Sequence, residues 1–214
     1  MTAVNRIGIF GTSGMAREAG DIAWTLGLEP IYVARDQAEM QGWSFPAPVI
    51  LEQDVRHYTD MPYVIGIGEG GIRKAVAERF KDQLSFTNLI HPSATFGLAQ
   101  REVIECCAGT IIAAGARFTS GISVGDFCIF NQNITIAHDC AVGSFVYVAP
   151  GANVSGNVHL QDGCWIGAGA VINQGNPTKK LKVGDNTVVG SGAVVTNDCT
   201  LNAVYVGVPA KRMK

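Results

Sequence analysis

From residue 112 onward, every sixth residue is large and apolar: Ile112, Phe118, Val124, Phe130, Ile136, Val142, Val148, Val154, Leu160, Ile166 and Ile172. After Gly175-Asn-Pro-Thr-Lys-Lys180 the series resumes one residue out of phase at Val183, Val189, Val195 and Leu201. Four residues beyond these positions stand small or β-branched side chains, among them Cys128, Ile134, Cys140, Val146, Ala152, Val158, Cys164, Ala170, Thr187, Ala193 and Cys199. An internal repeat of this kind outranks local propensity as a guide to fold. A hexad with one large and one small inward residue predicts a short flat strand followed by a tight corner. Three hexads close one triangular coil, and successive coils stack at the ~4.8 Å strand spacing. Gly125, Gly143, Gly167, Gly184 and Gly190 follow the large residue, where a corner leaves little room for bulk.

The first part of the chain has a different pattern. Arg6–Phe10 predicts an apolar strand, and Gly11-Thr-Ser-Gly14 turns into a helix through about Leu26 with Ala16, Ala19, Ile22, Ala23 and Leu26 on one face. Pro30–Ala34, Val49–Leu51 and Tyr63–Ile67 predict further strands. Gly68-Glu-Gly-Gly71 opens a helix through about Phe80, and Leu84–Ile90 closes the unit. Strands alternating with helices predict a small parallel α/β sheet. The expected organisation is therefore an α/β domain over residues 1–90 and a coil over residues 91–214.

Charge divides the chain at the same place: residues 1–100 carry 19 charged side chains and residues 110–203 carry nine. The whole chain, with 16 Lys and Arg against 18 Asp and Glu, has a net charge of −2, which argues against nucleic acid or an anionic membrane as partner. Glycine, at 26 of 214 residues, is well above the ~7% that is usual, as a corner-rich coil demands. No stretch approaches the ~20 apolar residues of a membrane span, and the first residues show no secretory signal, so a cytoplasmic protein is expected. The six cysteines include no CxxC, and free thiols that fill interior positions are expected rather than disulfides or metal ligands.

His138 is the third residue of the hexad Ile136-Ala-His-Asp-Cys-Ala141 and points outward, because Ile136 and Cys140 take the inward positions. Asp139 follows and can hold the imidazole ring, which makes the pair a candidate general base. Gly156 lies one coil further on, so bare backbone is expected above the ring. His91 in its Ile-His-Pro turn has a structural reading, and His57 and His159 read as surface residues. Lys179, Lys180 and Lys182 read as a solvated basic loop. Trp24 and Trp43 are assigned to packing in the first domain, and Trp165 is expected to face a neighbouring subunit. The turn Gly11-Thr-Ser-Gly14 lacks the GxGxxG spacing, and it reads either as an ordinary strand–helix turn or as a phosphate site.

The hexads Val-Gly-Asp-Phe-Cys-Ile, Val-Gly-Ser-Phe-Val-Tyr, Ile-Gly-Ala-Gly-Ala-Val and Val-Gly-Ser-Gly-Ala-Val, with the ending Val206-Gly-Val-Pro-Ala-Lys211, resemble the hexapeptide acyltransferases. The whole chain resembles bacterial nucleotide-amino-sugar N-acetyltransferases of the PglD/NeuD type. The likeness runs through Gly11-Thr-Ser-Gly14, Ile65-Gly-Ile-Gly68, Ile72-Arg73-Lys74, Asn88-Leu-Ile-His-Pro-Ser-Ala94, Asn131, Ile136-Ala-His-Asp-Cys140, Gly151-Ala and Gly156-Asn-Val158. It implies a Rossmann-like α/β domain followed by a left-handed parallel β-helix, and a homotrimer with acetyl-CoA between neighbouring coils.

By that resemblance His138 is the general base and Asp139 its partner. Tyr147, Gly156, Ala168 and Ser191 contact acetyl-CoA, with the Gly156 N–H on the thioester oxygen. Ser13, Gly14, Met15, Arg35, Asp36, Gly68, Gly71 and Asn131 are the implied contacts of a nucleotide-linked amino sugar, and no metal is implied. A zinc site of three histidines, as in coiled carbonic anhydrases, would need more than the coil's His138 and His159. Departures from the family's usual residues are Met15 and Tyr147 in place of histidine, Arg35 in place of an acid, and Asp139 in place of glutamate. The implied activity is N-acetylation of a UDP-4-amino-4,6-dideoxy sugar for surface glycan synthesis. Its rivals are a sialic-acid-type O-acetyltransferase and a non-catalytic trimeric scaffold. The outer residues Phe127, Ile129, Phe145, Tyr147, Ala149 and Trp165 form an apolar patch expected to lie between subunits.

Overall fold

A computed structural model describes residues 5–213. The α/β unit is a four-stranded parallel sheet of β1 (Arg6–Phe10), β2 (Glu29–Ala34), β3 (Val49–Leu51) and β4 (Tyr63–Ile65), in the order β3-β2-β1-β4. Alternate residues of β1 serve opposite faces. Ile7 and Ile9 join the core under α1 (Gly14–Thr25), and Phe10 joins the core under α3 (Gly70–Phe80) with Val76, Ala77 and Phe80. Gly8 leaves room for the Tyr63 ring of the adjoining strand β4, since a Cβ there would stand 2.1 Å from that ring. Trp43 packs on Tyr32 with ring centroids 4.5 Å apart. Trp24, expected in the core, is 74% exposed because it falls on the outer face of α1.

The hexads form a parallel β-helix with three flat faces. The first face stacks Ile111, Ile129, Tyr147 and Trp165 in register, the second Arg117, Thr135, Asn153 and Val171, and the third Ser123, Ala141 and His159. The predicted strand over Leu84–Ile90 divides. Phe86 makes a lone bridge to Tyr63, whereas Leu89–Ile90 is already the first rung of the coil, paired with Ile111–Ile112. In that first turn the helix α4 (Gln100–Glu105) stands where the third-face strand would be. Asn88 secures it: its side-chain amide donates to the carbonyls of Ile104, Glu105 and Cys107 and its oxygen accepts from Thr110 N–H.

The large and small positions of the repeat fill one continuous interior. Leu201 is the exception, at 59% exposure. The last turn is two residues short, Val183 bridging Cys199 and Val189 pairing with Tyr205, so Leu201 lands on a corner. The residues with left-handed backbone recur every six positions, at Gly109, Gly115, Gly121, Phe127, Asn133, Asp139, Phe145, Gly151, Asn157, Gly163 and Gly169. They stand two residues beyond the glycine position at which the sequence placed the corner. Glycine and asparagine suit that backbone; Phe127, Asp139 and Phe145 depart from the pattern.

The two units pack against each other. α1 lies between the sheet and the first face, where Met15, Ala16 and Ala19 share a buried cluster with Leu89, Ile111, Ala113 and Ile129. Phe127 and Phe145, stacked on each other at 5.4 Å, join the core under α3. The apolar patch expected between subunits is therefore covered by the chain's own first domain, and Trp165 lies against Gly68 rather than outside. No helix among the described residues is long and apolar enough to cross a membrane.

Cys128, Cys140 and Cys164 are buried at small interior positions, and each thiol donates to a carbonyl of the next coil: Gly143 at 3.1 Å, Ser155 at 3.2 Å and Gly184 at 3.1 Å. Burial raises the Cys128 and Cys164 thiols to about 12 and Cys199 and Cys107 to about 11. Because the thiolate is the reactive form, an Ellman titration of the native protein at pH 8 is expected to label the exposed Cys106 quickly and the other five only on denaturation.

Candidate active site

His138 stands outside the coil because its hexad neighbours Ile136 and Cys140 are buried within it. It sits at the corner between the second and third faces. Asp139 takes the left-handed conformation of that corner, φ 60°, and its Oδ2 lies 2.8 Å from His138 Nδ1. With the carboxylate ionised, Nδ1–H donates and the Nε2 lone pair is left free. Gly156 is stacked one coil above, with Asn157 N–H donating to the His138 carbonyl at 2.9 Å. A Cβ at Gly156 would stand 2.5 Å from both Nε2 and Cε1, so only glycine leaves the ring where it is. The Gly156 N–H has no acceptor among the described residues, and the Cβ position of that residue points at the imidazole edge that carries Nε2. The imidazole and carboxylate are half-exposed, so protons can exchange with solvent.

The interruption of the hexads lies on top of this corner. Gly175 N–H donates to the Gly156 carbonyl at 3.1 Å, and the loop then closes on itself. Asn176 Oδ1 accepts from the backbone N–H groups of Thr178 and Lys179, and Lys179 Nζ lies 3.6 Å from Asp198. The loop read as solvated and basic is exposed at residues 176–179, and its own hydrogen bonds brace it above this corner. Burial, then Lys180 and Lys182, hold the His159 imidazole below its ordinary value on the neighbouring third face.

The residues expected around acetyl-CoA fall at separate places on one chain. Ala168 and Ser191 are exposed on the corner between the first and second faces, stacked one above the other. Tyr147 is half-buried on the first face, across the coil from His138, with its ring stacked on Trp165 at 4.0 Å. Burial raises its phenol. Asn131, an expected sugar contact, is buried at the end of its first-face strand; its amide nitrogen donates to the Val148 carbonyl at 2.8 Å, and its Oδ1 has no partner among the described residues.

A crevice of about 250 Å³ opens at the carboxyl ends of β1, β2 and β4, where a parallel α/β sheet reverses its strand order. Gly11, Thr12 and Ser13 line it, with Arg35, Glu39, Glu52 and Arg79 around the rim. Ser13 occupies the N-cap of α1 without a side-chain cap bond, no acidic residue lies in the first turn, and Gly14 faces open space. The α1 terminus is therefore available to an anion.

Four expected contacts are committed elsewhere. Met15 is buried between α1 and the coil, and Asp36 caps the short helix α2 (Gln37–Gln41) through Glu39 N–H at 3.0 Å while also pairing with Arg35. These two contacts, the backbone N–H first, hold the Asp36 carboxyl below its ordinary value. Gly71 N–H donates to Glu69, which already supplies an anion at the α3 terminus, and Gly68 gives its carbonyl to Arg73 at 2.7 Å. The acids at the crevice are instead Glu39, which accepts from Arg35 N–H at 2.9 Å, and Glu52, paired with Arg79. Sequence reasoning passed over both. Their signal was position alone, one turn beyond the end of β2 and directly after β3.

No family model matches the chain. The GDP-perosamine N-acetyltransferase of Escherichia coli O157:H7 is 38% identical over 107 residues, which cover 50% of this chain and 48% of that protein. The chain spans about half the length of the curated relatives it matches. Among solved structures, the acetyltransferase domain of PglB from Neisseria gonorrhoeae FA1090, in complex with acetyl coenzyme A, is 26% identical with a TM-score of 0.85, covering 98% of this chain and 99% of that one. WeeI from Acinetobacter baumannii AYE is 27% identical with a TM-score of 0.84, covering 97% and 99%. In its coil of hexads and its appended α/β domain, the chain is similar to nucleotide-amino-sugar N-acetyltransferases built on hexapeptide repeats.

Proposed function

We propose that this protein transfers the acetyl group of acetyl-CoA to the amine of a nucleotide-linked amino sugar, with residues 1–90 holding the sugar nucleotide and the coil of residues 91–214, left-handed in this reading, holding acetyl-CoA. The observation that carries the reading is the His138 corner: Nδ1 tied to Asp139, Nε2 open, and Gly156, whose N–H has no acceptor among the described residues, stacked against the ring. An amino sugar is largely an ammonium at neutral pH and attacks only after losing a proton, which Nε2 accepts. Asp139 holds the tautomer and steadies the imidazolium that forms. The Gly156 N–H donates to the negative charge developing on the acyl oxygen. Acetyl-CoA supplies the activated acyl group, with Tyr147, Ala168 and Ser191 as its contacts, and no covalent enzyme intermediate is needed.

The separation of these residues on one chain favours an assembly. A neighbouring copy that sets its exposed corner between the first and second faces against the His138 corner brings Ala168 and Ser191 to the base, with the half-buried Tyr147 at the edge of that copy's own first domain. In this reading the protein is a cytoplasmic homotrimer with acetyl-CoA between adjacent coils. For the diphosphate, the open α1 terminus at Ser13 and Gly14 and the guanidinium of Arg35 supply N–H donors and positive charge. The acceptor is a UDP-4-amino-4,6-dideoxy sugar destined for surface glycan; the likeness to a GDP-perosamine N-acetyltransferase favours a GDP-linked sugar as the second reading.

An acetyl-CoA consumption screen across UDP-, dTDP- and GDP-linked amino sugars, with free sialic acid included, tests the assignment. Turnover with sialic acid alone would move it to O-acetylation, and no turnover at all would leave a scaffold. His138→Ala is expected to keep the assembly and lose about 10²–10⁴-fold in kcat, with Asp139→Asn losing less; near-wild-type turnover of the alanine variant would remove the base. Gly14→Val places its side chain in open space at the crevice, so KM for the sugar nucleotide should rise while KM for acetyl-CoA holds. Equal increases in both would count against separate binding sites. Sedimentation is expected to give a mass near three chains with three acetyl-CoA bound, and a monomer with normal turnover would remove the shared site.

A further inference from the structure

Arg73, in the first turn of α3, is completely buried, and all five of its hydrogen bonds go to backbone carbonyls. Those carbonyls belong to two separate parts of the fold. Nη1 donates to Ile67 at 2.8 Å and to Gly68 at 2.7 Å, in the loop that leaves β4 beside the crevice. Nε donates to Phe127 at 2.8 Å, and Nη2 to Phe145 at 2.7 Å and Val146 at 3.3 Å, on one corner of the coil.

That corner is conformationally unusual. Phe127 and Phe145 hold left-handed backbone at φ 55° and 60°, which bulky residues avoid. Their carbonyls accept from no backbone N–H of the coil and are left for the guanidinium. A Cβ at Gly70, the first residue of α3, would stand 3.0 Å from the Phe145 oxygen, so a side chain there would press on the same corner. Burial lowers the Arg73 guanidinium to about 10, and the five carbonyls are what compensate the charge. An ammonium has three donors at a single point and cannot reach this set.

We propose that Arg73 is a positioning residue that locks the Ile67–Gly68 loop to the Phe127/Phe145 corner, so that a sugar nucleotide held in the first domain meets the acetyl-transfer corner at one fixed distance. The inference rests on the function proposed above. Its specificity lies in the loop it holds: Ile67 lines the crevice, and Gly68 sits against Tyr147 and Trp165. A displacement of about 1 Å between reacting groups can cost 10²-fold in rate, so even a small loosening of this loop against the corner is expected to register in kcat.

The test uses Arg73→Met and Arg73→Lys in the full-length protein, read by steady-state kinetics in both substrates and by amide hydrogen exchange without substrates. Arg73→Met is expected to lose about 10- to 100-fold in kcat with KM for acetyl-CoA unchanged, and to exchange faster at residues 67–70, 126–128 and 144–146. Arg73→Lys, which keeps the stem and charge, should recover part of both. The inference is overturned if folded Arg73→Met keeps wild-type kcat, or if its loss matches the unfolded fraction with kcat per folded molecule unchanged. Should the methionine variant fail to fold, the lysine variant decides on the same readings. If the wild type acetylates no sugar nucleotide, the functional reading fails, and exchange alone judges the clamp: faster exchange in the loop and corner supports it, and unchanged exchange removes it.

Discussion

The coil-to-coil ladder is the constraint on which the other features depend. Each strand of two or three residues is too short to be stable alone and persists because the turn above and the turn below take its backbone groups. A ladder of this kind requires every turn to close in register. It therefore requires a left-handed residue every six positions, a uniform interior and outward side chains stacked one above another. His138 and Gly156 meet for this reason. They are one turn apart, and the stacking that satisfies Asn157 N–H with the His138 carbonyl also sets bare backbone against the imidazole. The geometry at the candidate base is a consequence of the repeat and needs no separate support.

Legibility in the sequence follows from how local the cause is. The hexad period depends on side-chain volume at fixed spacing, so the interior from Ile112 to Val195 was readable residue by residue. The outward direction of His138 followed from the inward direction of its neighbours. Leu201 was misread because the last turn loses two residues, and a period cannot announce its own end. The crevice was less legible. Asp36 and Gly71 match a motif, but motif positions do not reveal that Asp36 caps α2 or that Glu69 has taken the Gly71 N–H. Those are contests between nearby acceptors, decided by backbone angles that a residue string does not carry. Glu39 and Glu52 reach the rim through the ends of β2 and β3, so only the sheet order makes them neighbours.

The apolar outer face teaches a different lesson. Phe127, Phe145, Tyr147 and Trp165 do form a surface too large to leave in water, and the inference that something covers it was sound. The cover is intramolecular: α1, Gly68 and the start of α3 lie on it. Composition alone cannot distinguish a neighbouring subunit from a domain of the same chain. The case for the proposed trimer therefore shifts from buried area to the distribution of the proposed site residues. His138 and Tyr147 lie on opposite sides of one coil, and no rotamer brings them together.

The three departures from the glycine–asparagine rule at the corners separate two uses of the same backbone strain. At Asp139 the left-handed turn folds a carboxylate back onto the preceding imidazole, which a right-handed residue at that position would carry away from it. At Phe127 and Phe145 the carbonyls, which the ladder leaves unclaimed at other left-handed corners such as Gly121 and Asn133 as well, are taken by Arg73, and the two rings stack on each other. Glycine would satisfy each corner at lower conformational cost. Its absence at these three positions marks where the coil does more than close its turns: one place orients the candidate base, and the other two meet the guanidinium that ties the first domain to the coil.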